Sequence, residues 1–192
     1  MKDKFADIIS VIKERIAKLS VGCDNFIIAI DGNCGSGKTT LADILADELS
    51  ADVVHIDDFY LKHSLRTPES DARIGGNIDF ERLRTQVLTP LSCGLNYAYA
   101  PYSCKTMEYG EDVLVKPSRI TIVEGAYSCH PEIYDFYSLR IFLSVSTEEQ
   151  MRRIVARNGE QKAKQFADIW IPKENLYFET YNIKDKCDIT FN

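Results

Sequence analysis

The sequence lacks the features that mark disulfide-rich, zinc-binding and membrane proteins. Its six cysteines include no Cys-x-x-Cys pair and no cluster with histidine, so neither a disulfide framework nor a zinc site is expected. No apolar run approaches the roughly 20 residues that span a bilayer, and residues 1–4 begin no apolar signal segment. We therefore expect a cytoplasmic protein in a reducing compartment, with no membrane partner.

An excess of positive charge is missing as well. The chain has 23 Lys and Arg against 29 Asp and Glu, which gives a net charge of −6. Because surfaces that bind nucleic acid are usually basic, we expect no nucleic-acid partner, whereas a small anionic ligand in one pocket is compatible with this charge. Repeats and low-complexity linkers are also absent, and the length of 192 residues predicts one domain spanning residues 1–192. The oligomeric state has no signature in the sequence.

What the sequence does contain is a glycine-rich stretch, residues 32–39, that fits the pattern G-x-x-x-x-G-K-[ST] at every fixed position. It follows an apolar run, residues 26–30, and leads into a helical pattern, which is the context that the motif requires. Glycine lets backbone N–H groups approach a polyphosphate closely, Lys38 adds a full charge, and Thr39 offers a hydroxyl to Mg²⁺. Cys34 fills a variable position, where we expect a small tolerated side chain. The predicted ATP-binding residues of this stretch are Gly32, Asn33, Cys34, Gly35, Ser36, Gly37, Lys38, Thr39 and Thr40.

Apolar runs typical of buried parallel strands alternate with helical patterns along the chain. The predicted strands are residues 26–30, 53–56, 119–123, 139–145 and 187–191. The predicted helices are residues 3–19, 38–49, 79–91, 147–156 with Thr147 as the N-cap, and 173–181. Residues 61–77 are expected to be irregular. The alternation predicts an α/β fold with a mainly parallel sheet.

Three acidic residues, Asp31, Asp57 and Glu124, directly follow predicted strands. Ligands of open parallel sheets bind at the carboxyl ends of the strands. A phosphoryl transfer needs Mg²⁺ near the phosphates and a carboxylate that orients or deprotonates the attacking hydroxyl. Asp57 and Glu124 are placed to supply both, so with Thr39 they are the candidate metal ligands, and Asp57 and Lys38 are candidate catalytic residues.

Three arginines accompany the predicted helix at 147–156. Arg152 and Arg153 lie within it, and Arg157 follows it. Late basic residues on a helix usually form a solvated face or complement its dipole. In a P-loop enzyme they can instead close over the phosphates and stabilise transferred charge. The residues alone leave both interpretations open.

With these motifs the chain resembles the uridine kinase family of P-loop kinases, and more closely its bacterial uridine kinase-like members. Besides residues 32–39, the resemblance rests on the segments Asp57-Asp58-Phe59-Tyr60, Gly76-Asn77-Ile78-Asp79-Phe80, Pro101-Tyr102, Ile122-Val123-Glu124-Gly125 and Arg152-Arg153-Ile154. It implies a three-layer P-loop fold with a five-stranded parallel sheet and a small lid at roughly residues 152–165. The implied activity is ATP- and Mg²⁺-dependent phosphorylation of the 5′-hydroxyl of uridine, cytidine or a related nucleoside.

On the phosphate side, the resemblance implies roles for four residues. Asp57 would accept the proton of a sugar primary hydroxyl, and Glu124 would help to position Mg²⁺. Arg153 and Arg157 would be lid residues near the substrate and phosphates, Arg153 as a catalytic residue and Arg157 as an ATP-binding residue.

On the acceptor side, the resemblance implies that Tyr60 and Tyr102 line the acceptor pocket and that Asp79 hydrogen-bonds the ribose hydroxyls. The chain departs from the family here. The run at 103–107 lacks the histidine that reads the pyrimidine base, and Phe80-Glu81 stands where the family has His-Pro. A kinase of the same fold for another hydroxyl acceptor, such as pantothenate, glycerate or a sugar, is therefore an alternative.

A further alternative is a nucleotide-binding regulatory module that forms no phosphorylated product. A GTPase-type switch would need a guanine-reading N-K-x-D motif, and the nearest string, residues 182–185, has its lysine one place late. The tyrosines and Asp79 would also have no purpose in a pure switch.

Overall fold

A computed structural model of the chain describes residues 2–22 and 25–192. Cys23, one of the six cysteines considered above, lies outside the described residues. The strands, numbered along the chain, are β1 Phe26–Gly32, β2 Asp52–His55, β3 Tyr97–Tyr99, β4 Tyr102–Ser103, β5 Glu108–Tyr109, β6 Val113–Val115, β7 Ile120–Glu124, β8 Leu139–Leu143 and β9 Ile189–Phe191. The α-helices are α1 Lys2–Leu19, α2 Lys38–Leu49, α3 Pro68–Ala72, α4 Phe80–Leu83, α5 Thr89–Ser92, α6 Thr147–Asn158, α7 Glu160–Gln165, α8 Ile171–Tyr181 and α9 Ile183–Lys186.

Five strands form one sheet in the order β2-β7-β1-β8-β9, and every neighbouring pair is parallel. These are the five strands that the apolar runs predict, so the α/β fold with a five-stranded parallel sheet is confirmed. The register aligns Ile30 of β1 and His55 of β2 with Glu124 of β7. The carboxyl ends of these three adjacent strands therefore meet at one edge of the sheet, next to the loop that follows β1.

The residues of β1 alternate between two buried layers, which gives the molecule three layers. Ile27 and Ala29 pack with the helical run from Phe80 to Ser92 and with α8, and Phe26, Ile28 and Ile30 pack with α1 and α2. All seven residues of β1 are buried. Burying an isoleucine side chain contributes on the order of 1.5–3 kcal/mol, so a strand that is buried on both faces holds the following loop firmly in place.

The backbone at Gly32, the last residue of β1, has room for glycine alone. Its φ is +137°, and a Cβ atom there would lie 1.8 Å from the backbone oxygen of Leu143. Where the chain leaves the sheet at Gly32, its backbone therefore packs directly against the backbone of the neighbouring strand β8. Because this contact is backbone on backbone, it fixes the point at which the glycine-rich loop begins.

Several boundaries shift by a few residues from the predicted ones, and two differences have a clear local cause. The N-cap of α6 is Ser146, whose Oγ accepts a hydrogen bond from the Glu149 N–H at 3.3 Å, and Thr147 is the first helical residue. The prediction of Thr147 as N-cap is wrong because Ser146, with φ −62° and ψ 153°, has the extended backbone that aims a side chain at the free N–H groups. Residues 61–77, expected to be irregular, contain the short helix α3, which a capping box at Thr67 begins.

Two antiparallel ladders lie outside the main sheet. β3 pairs with β6, and β4 pairs with β5. The second ladder carries the loop at residues 104–107, which reaches the cavity described below. Within the described part of the chain, no helix combines the length and apolar character needed to cross a membrane.

Candidate active site

A cavity of about 700 Å³ opens at the carboxyl edge of the sheet. We call one side the P-loop wall, which comprises Cys34, Gly35, Gly37, Lys38, Thr39, Thr40, Arg153 and Arg157. We call the other side the tyrosine wall, which comprises Tyr60, Arg66, Asn77, Tyr102, Cys104 and Met107. Asp57 and Glu124 line the same cavity. Groups that the sequence predicts for phosphate, metal and acceptor are therefore brought to one space.

The P-loop wall is organised around Lys38. Its ammonium donates hydrogen bonds to the carbonyl oxygens of Gly32 and Asn33 at 2.7 and 2.9 Å, so the loop curls around the charge. Lys38 is also the first residue of α2, whose N-terminal N–H groups and dipole favour an anion. Among the predicted ATP-binding residues, Gly32, Asn33 and Ser36 do not line the cavity in this structure and instead shape the loop behind it.

The two candidate carboxylates differ in their surroundings. Asp57 follows β2 within a short 3₁₀ turn, and burial raises the pKa of its carboxyl group, partly offset by the hydroxyl of Tyr60. The Glu124 carboxylate accepts from the Thr39 hydroxyl, with oxygen–oxygen distances of 3.2 and 3.3 Å. Asp31 does not line the cavity, because its fully buried carboxylate accepts from the Cys129 N–H and the Tyr177 hydroxyl. Asp31 is thus a structural carboxylate.

Sequence reasoning assigned no role to His55, and the structure places it on Glu124. The distance from His55 Nδ1 to Glu124 Oε1 is 2.6 Å, and this hydrogen bond raises the pKa of His55. The strand register that puts His55 opposite Glu124 is the cause. Only knowledge of which strands are neighbours could have revealed the pair.

The oxygen groups suit magnesium better than a metal that needs a preformed cage. Within residues 2–22 and 25–192 no group of three or more His, Cys, Asp and Glu side chains could hold a metal ion. Thr39, Glu124 and Asp57 nevertheless supply oxygen atoms beside the phosphate loop. Mg²⁺ is usually bound by one or two carboxylates together with substrate phosphates and water, so these residues fit the ion.

The three arginines separate into different environments. One terminal nitrogen of Arg153 donates to the carbonyl oxygens of Gly35 and Ser36 at 2.9 and 3.0 Å, so Arg153 braces the loop. Arg157 lines the cavity, and its Nε donates to Asn158. Arg152 is exposed and paired with Glu149, as expected of a solvated helix face.

A carboxylate that the sequence analysis missed also contacts the loop. Glu174, on α8, is buried and accepts a hydrogen bond from the Cys34 N–H at 2.9 Å. Burial, together with this carboxylate, raises the pKa of the Cys34 thiol to about 12, so Cys34 is a neutral thiol. No spacing rule connects residues 34 and 174, since the contact depends on how α8 packs.

Two aromatic rings pack against each other in the tyrosine wall. Tyr60 and Tyr102 meet edge to face with centroids 6.1 Å apart, and the Tyr102 hydroxyl lies 3.5 Å from the Met107 sulfur. Asn77 is buried and lines the same cavity. The structure does not bring Asp79 to the cavity: its carboxylate caps α4 by accepting from the Arg82 N–H at 3.0 Å, and it lines a separate pocket. This differs from the role that the resemblance implies, because the helix N-terminus holds the side chain.

A glycine loop at the end of the central strand of a parallel sheet, with lysine and threonine opening the next helix, defines a P-loop protein with a kinase-type fold. The chain belongs to the family described as AAA domain, which matches residues 28–182. The structure of a possible uridine kinase from Bacillus stearothermophilus superimposes with a TM-score of 0.72 at 21% identity, covering 98% of this chain and 100% of that one. The fold predicted from the sequence is confirmed.

Curated relatives are named uridine kinases. The chain is 25% identical over 153 residues to a uridine kinase of Halobacterium salinarum, covering 76% of this chain and 68% of that protein. It is 26% identical over 161 residues to uridine kinase-like protein 3 of Arabidopsis thaliana, covering 75% of this chain and 33% of that protein. The chain thus spans only a third of the Arabidopsis protein. The resemblance to uridine kinases is confirmed, and the similar proteins are named as kinases.

Proposed function

We propose that the chain is an ATP-dependent kinase that transfers the γ-phosphoryl group to a hydroxyl of a small molecule. The observation that carries this proposal is the shared cavity, in which Lys38 and Thr39 of the P-loop face the same space as Asp57, Tyr60 and Tyr102. A protein that only held a nucleotide would have no need of a buried carboxylate and a ring-lined chamber beside its phosphate loop.

In this mechanism the chain acts chiefly by position and charge. The amides of the loop and Lys38 hold the polyphosphate, and Arg153 keeps the loop in shape from behind. Asp57 orients the attacking hydroxyl and receives its proton. Arg157 adds positive charge at the cavity surface near the phosphates, and residues 152–165 serve as the lid.

Mg²⁺ would be held by Thr39, Glu124 and Asp57 together with the phosphates, and it would neutralise charge on the transferred group. His55 would fix the orientation of Glu124 through the 2.6 Å contact. The Thr39 hydroxyl already lies against Glu124, so both oxygens face one small volume.

The acceptor is an alcohol, and separate observations support two classes of alcohol. The 5′-hydroxyl of uridine or cytidine is supported by the names of the relatives and by the aromatic rings of Tyr60 and Tyr102, which suit a flat base. A different hydroxyl acceptor is supported by the residues at 103–107, where Cys104 and Met107 offer no histidine to read a base.

The test is to incubate the protein with ATP, Mg²⁺ and a panel of nucleosides, sugars and hydroxy acids. ADP formation and phosphorylated product should be measured in the same samples, the latter by mass spectrometry. We expect one acceptor class to give product in equal amount to ADP. Loss of ATP with no phosphorylated acceptor across the panel would favour the nucleotide-binding regulatory module instead.

A further inference from the structure

The tyrosine wall contains a cation whose position is fixed by the backbone. The Nε atom of Arg66 donates to the Leu61 carbonyl oxygen at 3.2 Å, and the Leu61 N–H donates to the Asn77 carbonyl oxygen at 2.8 Å. Leu61 therefore ties Arg66 and Asn77 to one another. Among residues 2–22 and 25–192, the two terminal nitrogens of the Arg66 guanidinium donate to no acceptor, and the side chain lines the cavity.

Arg66 has no carboxylate partner in the part of the chain that the structure describes, since no ion pair there includes it. The other cations that line the cavity lie on the P-loop wall. Lys38 is held by loop carbonyls, and Arg153 by loop carbonyls and Glu149. On the tyrosine wall, Arg66 is thus a half-buried guanidinium that the described residues leave without a counter-ion.

Asp57 and Arg66 line the same cavity, and Tyr60 and Cys104 line it with them. Burial raises the pKa of Cys104, and the charges of Asp57 and Arg66 act on that thiol in opposite directions. Burial also raises the pKa of Tyr60, and the nearby Asp57 carboxylate and Cys104 thiol raise it further. A small molecule in this cavity can therefore meet both the Asp57 carboxylate and the Arg66 guanidinium.

We propose that the acceptor carries an anionic group as well as its hydroxyl, and that Arg66 binds this group while the hydroxyl lies at Asp57. The inference rests on the proposed kinase function and narrows its acceptor to hydroxy acids or hydroxyl-bearing phosphates. The planar guanidinium matches a carboxylate or phosphate with two parallel hydrogen bonds. Asn77, which is buried and lines the same cavity, supplies a further polar contact for the acceptor.

The transfer is balanced with the groups already named. The acceptor oxygen forms a bond to the γ-phosphorus, and the bond between that phosphorus and the β–γ bridging oxygen breaks. ADP leaves with the electron pair, and the hydroxyl proton passes to Asp57 and then to water. The anion at Arg66 takes no part in the bond changes, which makes Arg66 a specificity-determining residue. A neutral acceptor would cover the guanidinium without pairing it, at a cost in binding.

The test uses acceptors that differ only in charge. Each pair compares an acid with its alcohol: D-glycerate with glycerol, pantothenate with pantothenol, and D-gluconate with sorbitol. Glycerol 3-phosphate provides the phosphate arm and uridine the neutral nucleoside arm. With ATP and Mg²⁺, we expect kcat/KM for the anionic member of at least one pair to exceed that of its neutral partner by at least roughly tenfold. A preference for glycerol 3-phosphate over glycerate would identify phosphate as the anion.

The preference should depend on Arg66. R66Q is expected to shrink the ratio of acid to neutral kcat/KM by about 10–100-fold, because a charged hydrogen-bonded pair is lost, and R66K should lie between the two. A merely structural role would lower both members of a pair and leave the ratio alone. R73Q, on the same irregular segment but outside this cavity, is the matched control and should keep the wild-type ratio.

Three outcomes overturn the inference, and they can be told apart. If neutral alcohols or uridine react as well as the anions, or if R66Q changes acid and neutral acceptors equally, the kinase proposal stands and the role of Arg66 does not. If no acceptor yields product while ATP is still bound or hydrolysed, the kinase proposal itself fails, and this inference with it.

Discussion

Six of the eight residues of the P-loop wall come from one continuous stretch, whereas the residues of the tyrosine wall come from separate segments. Residues 34–40 contribute most of the first, and the β1–α2 connection fixes their geometry. Tyr60 directly follows a 3₁₀ turn, Asn77 lies in a loop, and Tyr102 belongs to a short ladder. A backbone cradle can serve any polyphosphate, while a wall of side chains can change its ligand residue by residue. Nucleotide binding is therefore expected to be robust here and acceptor choice to be specific to this chain.

The largest difference between the two walls is expected for Asp57→Asn, since Asp57 lines the cavity that they share. We expect turnover to fall by roughly 10²–10⁴-fold, because general-base assistance is removed, while ATP binding measured by calorimetry stays close to wild type. Asp58→Asn, which changes the neighbouring carboxylate that accepts from the Tyr99 hydroxyl, is the control and should retain most turnover. Unchanged turnover in Asp57→Asn with every accepted substrate would remove Asp57 from the mechanism.

A substitution at Gly32 tests the backbone that leads from β1 into the P-loop wall. Gly32→Ala would place a Cβ atom 1.8 Å from the Leu143 oxygen, and we expect it to lower the free energy of unfolding by more than about 4 kcal/mol or to prevent folding. Gly159→Ala is the matched control, since its φ is also positive, +79°, but no atom lies within 4 Å of the added Cβ. Its cost should stay near 1–3 kcal/mol, the order expected for a residue other than glycine at φ 79° and ψ 162°. Similar denaturation midpoints for both variants would contradict the close approach.

The tyrosine wall should be the more sensitive to acid, because His130 stacks on Phe80 with centroids 4.2 Å apart, next to the loop that carries Asn77. Burial lowers the pKa of His130 to about 4. The unfolded chain binds this proton near pH 6.5 and the folded chain does not, so stability falls as pH drops from 6.5 towards 4, by on the order of 2–3 kcal/mol.

Urea unfolding across this pH range tests the histidine, with His130→Gln expected to flatten the profile. His63→Gln alters an exposed histidine and should leave the wild-type slope. An equally steep profile in His130→Gln would assign the acid sensitivity to other groups.

The smallest expected effect concerns Glu174, whose carboxylate contacts the P-loop wall by accepting from the Cys34 N–H. Glu174→Gln removes a like charge near the phosphates, and we expect ATP to bind roughly tenfold more tightly, since such a charge costs about 1–2 kcal/mol in a partly screened site. Calorimetry with a non-hydrolysable ATP analogue measures this. Glu179→Gln, on the exposed side of the same helix, is the control. Weaker binding in Glu174→Gln would mean that its contact with the Cys34 N–H organises the loop.

The parts of this protein that could be read from the sequence are those with a local cause. The period of apolar residues predicts the five strands and most helices, and the glycine spacing predicts the loop, because each depends on neighbours within a few residues. Asp57 and Glu124 could also be placed, since both lie at the carboxyl ends of strands of one parallel sheet. The N-cap of α6 was missed by one residue because two adjacent hydroxyl residues compete for it.

The parts that could not be read depend on which distant segments pack together. His55 meets Glu124 only because β2 and β7 are neighbours in the sheet order. Glu174 reaches Cys34 across 140 residues of chain, and Arg66 enters the cavity because Leu61 anchors it. Asp79, which a motif places at the acceptor, is turned away to cap α4.

The sequence by itself determined a parallel α/β domain with a phosphate loop at the end of its first strand, since apolar period, glycine and lysine act through the backbone next to them. Only the tertiary structure decided which charges share the cavity with that loop. Electrostatic and hydrogen-bond partners are chosen by distance in space, and the packing of strands, ladders and α8 sets that distance.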